Sequence, residues 1–141
     1  MADQPTTRRV LVVSDEQDAG RFLGRVLEDA GLDVVICSVE DIAIELASSH
    51  PAFDAVLGDS IDPLVSRRVR GLADPDRATT PIVVLAPYNA GQGAAEAAVA
   101  NGATAYVTRP VIEHELVKAI HAVLPEEGSA SESGSEADVE Q

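Results

Sequence analysis

The sequence has few aromatic residues and no tryptophan. Only two Phe and two Tyr occur among 141 residues, so aromatic residues make up 3% of the chain. Hydrophobic residues still account for 45% of it, which is enough for a single domain of this length to bury a core. We therefore expect a core built from Val, Ile, Leu and Ala side chains.

Cysteine and long apolar runs are also scarce. Cys37 is the one cysteine of the chain, which excludes an intrachain disulfide and is compatible with a reducing compartment. No apolar run approaches the roughly 20 residues that a membrane-spanning helix needs. The first residues (MADQPTTRR) lack the apolar stretch of a signal peptide. The sequence predicts a cytoplasmic protein in which Cys37 is buried and inert.

The chain is short of basic residues. It has 10 Lys and Arg against 24 Asp and Glu, which gives a net charge of −14. Six of the acidic residues follow Pro125, and the rest of the chain carries 18 acidic against 10 basic residues, a net charge of −8. This excess argues against binding to a nucleic-acid backbone. It favours solubility, including solubility in a salt-rich cytoplasm, over a basic partner.

What the sequence does contain is five short apolar runs, at intervals of roughly 20 to 25 residues. The first, third and fourth lack polar alternation, which is typical of strands buried on both faces of a parallel sheet. The runs are residues 9–13, 33–37, 55–58, 81–85 and 104–108.

Segments with helical spacing lie between these runs. Phe22 and Ile44 belong to apolar stripes of the first two segments. The alternation of strand and helix predicts an α/β domain, a doubly wound five-stranded parallel sheet with helices on both faces. The clearest helical segments are residues 17–30, 40–49, 90–102 and 112–124.

The predicted domain spans residues 8–125 and follows a short extension, residues 1–7. Residues 126–141 are mostly Ser, Gly, Glu and Asp. Such a segment cannot offset its ordering entropy by burial. We expect it to be a disordered acidic tail, or a linker if the chain is part of a longer protein.

Polar residues follow the predicted strands at the edge where an open α/β sheet places its working site. Asp15 follows the first strand, Asp59 the third and Arg109 the fifth. Carboxylates in this arrangement suit Mg²⁺, and a carboxylate beside cations can accept a phosphoryl group. The alternative is that both aspartates cap helices or turns. The convergence of all three residues favours the functional hypothesis.

Two enzyme classes with this topology lack their central residues here. A dinucleotide-binding domain needs G-x-G-x-x-G after its first strand, whereas residues 14–19 read SDEQDA. A haloacid-dehalogenase-type phosphatase has a general-acid Asp two residues after its nucleophile, and Ile61 stands at that position. The sequence therefore predicts that the chain is not an enzyme.

Three segments resemble the receiver domains of two-component response regulators. Residues 53–63 (FDAVLGDSIDP) resemble the strand that ends in the phosphoacceptor Asp and is followed by a proline four residues later. Residues 101–110 (NGATAYVTRP) resemble the family's Gly-Ala, aromatic, Lys-Pro run, and residues 81–86 (PIVVLA) resemble its fourth strand. The resemblance spans residues 8–124 and implies the flavodoxin-like (βα)5 receiver fold.

The resemblance implies a role for each matching residue. Asp59 matches the phosphoacceptor, and Asp15, Asp59 and the main-chain carbonyl of Ile61 match the Mg²⁺ ligands. Tyr106 matches the aromatic switch residue. Arg109 stands where the family has Lys, before a proline whose peptide bond is usually cis.

Three positions depart from the family pattern. Ser14 replaces the second acidic residue, which weakens the implied Mg²⁺ site. Ala86 replaces the Thr or Ser whose hydroxyl would contact the phosphoryl group, a contact worth roughly 1.5–3 kcal/mol. Arg109 keeps the positive charge of the family's Lys but carries it on a wide planar guanidinium. Pro87 stiffens the loop after the fourth strand, which the resemblance implies should move.

Two hypotheses follow from these departures. In the first, the domain accepts a phosphoryl group on Asp59 with impaired switching, from a sensor histidine kinase or a phosphotransfer protein. In the second, it is a pseudo-receiver that acts as a protein-interaction module without phosphorylation. In both, the resemblance implies a partner surface, and a homodimer surface, on the fourth helix, fifth strand and fifth helix (residues 90–102, 104–108 and 112–124).

The remaining clusters favour structure over function. The three histidines share no predicted site, and the basic run 67–70 (RRVR) is more typical of a solvated helix face than of a contact with an acidic partner. Gly91 and Gly93 open the predicted helix 90–102, so we expect its first turn to be weak.

Overall fold

Five parallel strands form the centre of the protein in the computed structural model, which describes residues 7–49, 51–59, 64–86, 91 and 93–124. Ile61, Pro87 and the predicted acidic tail lie outside these residues. The sheet order is β2-β1-β3-β4-β5, which confirms the predicted α/β fold class. The strands are β1 (Arg9–Val13), β2 (Asp33–Cys37), β3 (Ala55–Asp59), β4 (Ile82–Leu85) and β5 (Ala105–Val107).

The central strands β3 and β4 are apolar except for Asp59 at the end of β3, because helices cover both faces of the sheet. Every residue of β3 and β4 is buried. An alternating pattern would place polar side chains against one of the two helical layers, so the continuous apolar runs specify this arrangement.

The described helices follow the strands in chain order. A short 3-10 turn, Val39–Asp41, precedes the second helix. The short helix Pro75–Ala78 was not predicted, although Asp74 caps its first turn and Pro75 opens it, as is common at helix starts. The helices are α1 (Gln17–Asp29), α2 (Ile42–Ser48), α3 (Leu64–Arg70), α4 (Pro75–Ala78), α5 (Ala94–Ala100) and α6 (Glu113–Val123).

Two apolar layers hold the helices to the sheet. On one face, Leu27 of α1 and Leu116 of α6 pack in a cluster with Val12 of β1. Burial of each such side chain stabilises the fold by about 1.5–3 kcal/mol. On the other face, α2, α3 and α5 contribute Ile42, Leu46, Val65, Val69 and Ala98.

Two details of the predicted helices are wrong. Phe22 and Ile44 were assigned to buried stripes, but they are 44% and 66% exposed. The helix predicted over residues 90–102 begins only at Ala94, and Gly93 precedes it with a φ of +82°. Both opening glycines therefore lie before the helix, and the weakness of its first turn stays a prediction.

The basic run 67–70 is only partly the solvated surface that was predicted. Arg70 turns inward, where its guanidinium donates to the carbonyls of Ala78 (2.8 Å), Thr80 (2.7 Å) and Gly102 (2.7 and 3.1 Å). Burial lowers the pKa of Arg70 from its ordinary value. Arg70 thus connects the end of α3 to α4 and to the loop before β5.

No helix in the described part of the chain is long and apolar enough to cross a membrane.

Candidate functional site

Asp59 is the last residue of β3 and lies between β1 and β4 at the carboxyl edge of the sheet. It is 8% exposed. A Cβ at the preceding residue, Gly58, would lie 3.2 Å from both methyl carbons of Val65. The absence of that Cβ allows α3 to pack directly on β3, which places the Asp59 carboxylate in a rigid frame.

Arg109 forms an ion pair with Asp59. Its terminal guanidinium nitrogen donates to Asp59 Oδ1, and its Nε donates to the carbonyl oxygen of Ala86 at 2.5 Å. The pair is largely shielded from water, because the two side chains are 15% and 7% exposed. The Arg109–Pro110 peptide bond is cis, as the resemblance implied. One side chain therefore links the ends of β3 and β4 to the loop after β5.

Ser14 approaches the other oxygen of the same carboxylate. Its Oγ lies 3.1 Å from Asp59 Oδ2 and 3.0 Å from the carbonyl oxygen of Glu16. A hydroxyl has one proton, so it donates to one of these two acceptors at a time. The Glu16 N–H donates to the same Oγ at 3.2 Å. Both oxygens of Asp59 thus have a donor within reach.

Asp15 has a different contact. Its Oδ1 accepts a hydrogen bond from the backbone N–H of Val39 at 3.2 Å, at the start of the 3-10 turn. The side chain is otherwise exposed. This contact links the end of β1 to the 3-10 turn and is not a cap of α1, whose N-cap residue Glu16 has no side-chain capping bond.

Ala86 and Tyr106 lie beside this site. Ala86 is 2% exposed, and its N–H donates to the Val107 carbonyl at 2.8 Å. Its side chain is a methyl group, which cannot donate a hydrogen bond. Tyr106 is half-buried, and its Oη is buried without a hydrogen-bond partner among the described residues.

An open cavity of about 460 Å³ leads to Asp59. Phe22 of α1 and Val111 line it together with Pro110 and Asp18. The place of Phe22 at this cavity was not predicted, because its helical spacing assigned it to the apolar stripe of α1. Its neighbour Leu23 also lines the cavity but is 2% exposed, whereas Phe22 is 44% exposed.

Cys37, at the end of β2, is buried as predicted. Burial raises the pKa of its thiol to about 12, and the nearby carboxylates of Glu45, Asp41 and Asp15 act in the same direction. At neutral pH the folded protein therefore keeps Cys37 as an unreactive thiol.

No protein-family model and no curated protein matches the chain. Solved structures do. A putative response regulator from Chloroflexus aurantiacus is 26% identical, with a TM-score of 0.72, over 84% of this chain and 98% of that one. Chemotaxis protein CheY4 of Vibrio cholerae is 22% identical, with a TM-score of 0.71, over 84% and 100%. The receiver domain of a signal transduction histidine kinase from Syntrophus aciditrophicus is 19% identical, with a TM-score of 0.70, over 84% and 90%.

The chain has the receiver-domain fold of response regulators. The order of its five strands and the location of Asp59 at the end of β3 are those that the sequence resemblance implied.

The resemblance to receivers also implies a Mg²⁺ ion beside Asp59. The described residues contain no group of three or more His, Cys, Asp or Glu side chains that could hold a metal ion. One oxygen of Asp59 is ion-paired with the Arg109 guanidinium. The Asp15 carboxylate accepts a hydrogen bond from the Val39 N–H. Ile61, the third implied ligand, lies outside the described residues. As arranged, the described residues do not fit a Mg²⁺ ion.

Proposed function

We propose that this chain is a signal-transduction receiver module in which Asp59 accepts a phosphoryl group slowly and switches the domain weakly. The observation that carries the proposal is the location of Asp59. It is the buried carboxylate at the end of the central strand of a receiver fold, and the open cavity lined by Phe22 gives a small phosphodonor access to it.

The transfer itself needs one free lone pair on the carboxylate. An Asp59 oxygen attacks phosphorus, the bond from phosphorus to the donor's leaving group breaks, and an acyl phosphate forms on Asp59. Arg109 occupies Oδ1 and Ser14 faces Oδ2. The reaction therefore has to displace or share these donors first, and we expect it to be slow.

Arg109 also supplies what the transferred group needs. Its guanidinium can neutralise charge on the phosphoryl oxygens, since an arginine can donate two parallel hydrogen bonds to such a group. Ala86 offers no hydroxyl to the same group. The phosphoryl group would therefore be held by Arg109 without the contact that draws the loop after β4 inward, which is why switching is weak.

The test is incubation with acetyl phosphate and Mg²⁺, followed by mass spectrometry of the intact protein. We expect partial addition of one phosphoryl mass to the wild type and none to Asp59→Ala. Arg109→Lys should raise the rate, because an ammonium leaves more of the carboxylate free. Arg21→Lys, an exposed arginine of α1, is the matched control and should leave the rate unchanged. An adduct that persists in Asp59→Ala would place the site elsewhere.

A pseudo-receiver is the second candidate, and the bridge through Arg109 favours it. The guanidinium already joins Asp59 to the Ala86 carbonyl, so the site is cross-linked without a phosphoryl group. No adduct on the wild type, under conditions that label an ordinary receiver, would decide for this candidate.

Both candidates act through partners. A sensor histidine kinase or a phosphotransfer protein would supply phosphate to the first. The face formed by α5, β5 and α6 is the proposed surface for a downstream protein or a second copy of the chain, and Val99 on it is 55% exposed. Chemical-shift mapping with a candidate partner tests this surface, and shifts confined to α1 and α2 would contradict it.

A further inference from the structure

Both oxygens of the Asp59 carboxylate face a proton donor. The Arg109 guanidinium donates to Oδ1, and the Ser14 hydroxyl lies 3.1 Å from Oδ2. A divalent cation such as Mg²⁺ binds through the lone pairs of carboxylate oxygens, and a donated proton points at the same lone pairs. A metal ion would therefore have to displace a donor at either oxygen.

Arg109 is a fixed cation beside this carboxylate. Its Nε donates to the Ala86 carbonyl oxygen at 2.5 Å, and its side chain is only 15% exposed. A guanidinium is not deprotonated in proteins, so this positive charge is permanent. Because charges interact more strongly away from water, Arg109 would repel a divalent cation beside Asp59 at short range.

The charges of the described buried side chains at the site already balance. Asp59 contributes one negative charge, Arg109 one positive charge and Ser14 none. The Ser14 hydroxyl also belongs to the turn into α1, where it accepts a hydrogen bond from the Glu16 N–H at 3.2 Å. Mg²⁺ would bring two further positive charges, and an uncompensated charge in a shielded site is costly.

Other carboxylates near the site are in contact with water. Glu16 and Asp18 line the cavity that leads to Asp59, and both are exposed. Asp15 is exposed as well, and its Oδ1 accepts from the Val39 N–H. Salt screens the attraction between exposed charges, and the described part of the chain brings no three such side chains together as metal ligands. These carboxylates therefore attract cations diffusely and do not form a site.

We infer that the Arg109 guanidinium takes the place of a divalent cation as the resident counter-charge of Asp59, and that Ser14 and Arg109 together keep Mg²⁺ out of the folded site. These two residues set the cation preference of the site. A tethered guanidinium neutralises Asp59 at every Mg²⁺ concentration, so the charge of the site does not follow the concentration of the free ion. The inference concerns binding alone and holds whether or not Asp59 accepts a phosphoryl group.

Titration of the 15N-labelled full chain with MgCl₂ tests the inference without a phosphodonor. NaCl of equal ionic strength is the reference, because it reproduces the screening by MgCl₂ but not coordination by Mg²⁺. We expect the amide signals of Ser14, Asp15 and Asp59 in the wild type to show no saturable shift beyond this reference.

The double variant Ser14→Asp/Arg109→Lys should gain a Mg²⁺ site. A carboxylate at residue 14 would stand beside Asp59 Oδ2, and an ammonium lacks the two fixed directions in which the guanidinium contacts Asp59 and Ala86. We expect saturable shifts in this variant, with an affinity for Mg²⁺ at least about tenfold higher than that of the wild type.

The thermal midpoint gives a second measurement on the same variant. Without Mg²⁺ the two neighbouring carboxylates repel each other, so the midpoint of the double variant should lie below that of the wild type. MgCl₂ should raise it more than the NaCl reference does, because an ion that binds only the folded state stabilises that state.

The matched control is Ser48→Asp/Arg67→Lys. It makes the same two changes at exposed positions of α2 and α3, so its net charge equals that of the double variant. We expect no saturable shift at the Asp59 site of this control, and no rise of its midpoint with MgCl₂ beyond that of the wild type.

Two results would overturn the inference. One is a saturable Mg²⁺ shift at Ser14 and Asp59 of the wild type. The other is a folded double variant that binds Mg²⁺ no better than the control. If the double variant does not fold, the titration of the wild type decides alone.

Discussion

At the scale of single residues, Arg109 shows why arginine is not equivalent to lysine beside Asp59. A guanidinium presents several donors in one rigid plane, and here one nitrogen contacts Asp59 while Nε contacts the Ala86 carbonyl. An ammonium on a flexible stem has no such fixed pair of directions. Arg109 therefore acts as a cross-link between strand ends as well as a counter-charge.

The cross-link predicts a stability cost for Arg109→Ala. The variant leaves Asp59 buried without its cation and removes a donor from the Ala86 carbonyl, so we expect a loss of about 2–4 kcal/mol in the free energy of unfolding. Urea denaturation measures the loss. In an Asp59→Asn background the same change should cost clearly less, and equal costs in the two backgrounds would show that the ion pair contributes nothing.

Cys37 makes a pH prediction. Burial raises the pKa of its thiol from 9.0 to about 12, so the folded state keeps the proton while the unfolded chain loses it. A raised folded-state pKa gives stability that is complete below pH 9 and is lost as the pH rises toward 12. Denaturation of the wild type and of Cys37→Ala across this window should show a steeper alkaline decline in the wild type. Parallel declines would contradict the raised pKa.

At the scale of elements, Arg70 holds three segments together. Its guanidinium reaches the carbonyls at the end of α4 and in the loop before β5. Gly102 in that loop has a φ of +115°, and a Cβ there would lie 2.9 Å from Arg70 Cγ. The loop accepts the arginine only because residue 102 is glycine.

We expect Arg70→Ala to cost about 2–3 kcal/mol, because it removes several hydrogen bonds from a charged donor and leaves carbonyls without their partner. Arg67→Ala is the matched control, since Arg67 is exposed on the same helix, and it should stay within about 0.5 kcal/mol of the wild type. Thermal denaturation measures both losses. Equal losses for the two variants would show that Arg70 stabilises the fold no more than a solvent-exposed arginine does.

The same elements show what the sequence can and cannot predict. The strands were predictable because burial on both faces requires an uninterrupted apolar run, as in β3 and β4. The location of Asp59 followed from the parallel topology. The contacts of Arg70 and Asp15 were not predictable. Val39 and Gly102 lie 24 and 32 residues away along the chain, and Ala78 and Thr80 lie at the end of a helix that was not predicted. Phe22 was wrongly predicted to be buried, because it lies at the edge of the apolar stripe of α1 and not at its centre.

At the scale of the whole molecule, negative charge is the dominant feature. The chain carries −14, and a net charge this far from zero destabilises a compact state through self-repulsion. The ion pair of Arg109 with Asp59 is shielded from water, so added salt weakens it much less than it weakens repulsion between exposed carboxylates.

Salt should therefore stabilise this protein. The Debye length falls from about 30 Å at about 0.01 M salt to about 3 Å at about 1 M, so the thermal midpoint should rise with NaCl and then level off. Replacing the exposed Glu40, Glu96 and Glu113 by Gln should flatten the rise, because fewer charges repel one another. The same three positions changed to Asp keep the charge and should keep the wild-type slope. A midpoint that falls with salt would show instead that exposed ion pairs stabilise the fold more than the excess of acidic residues destabilises it.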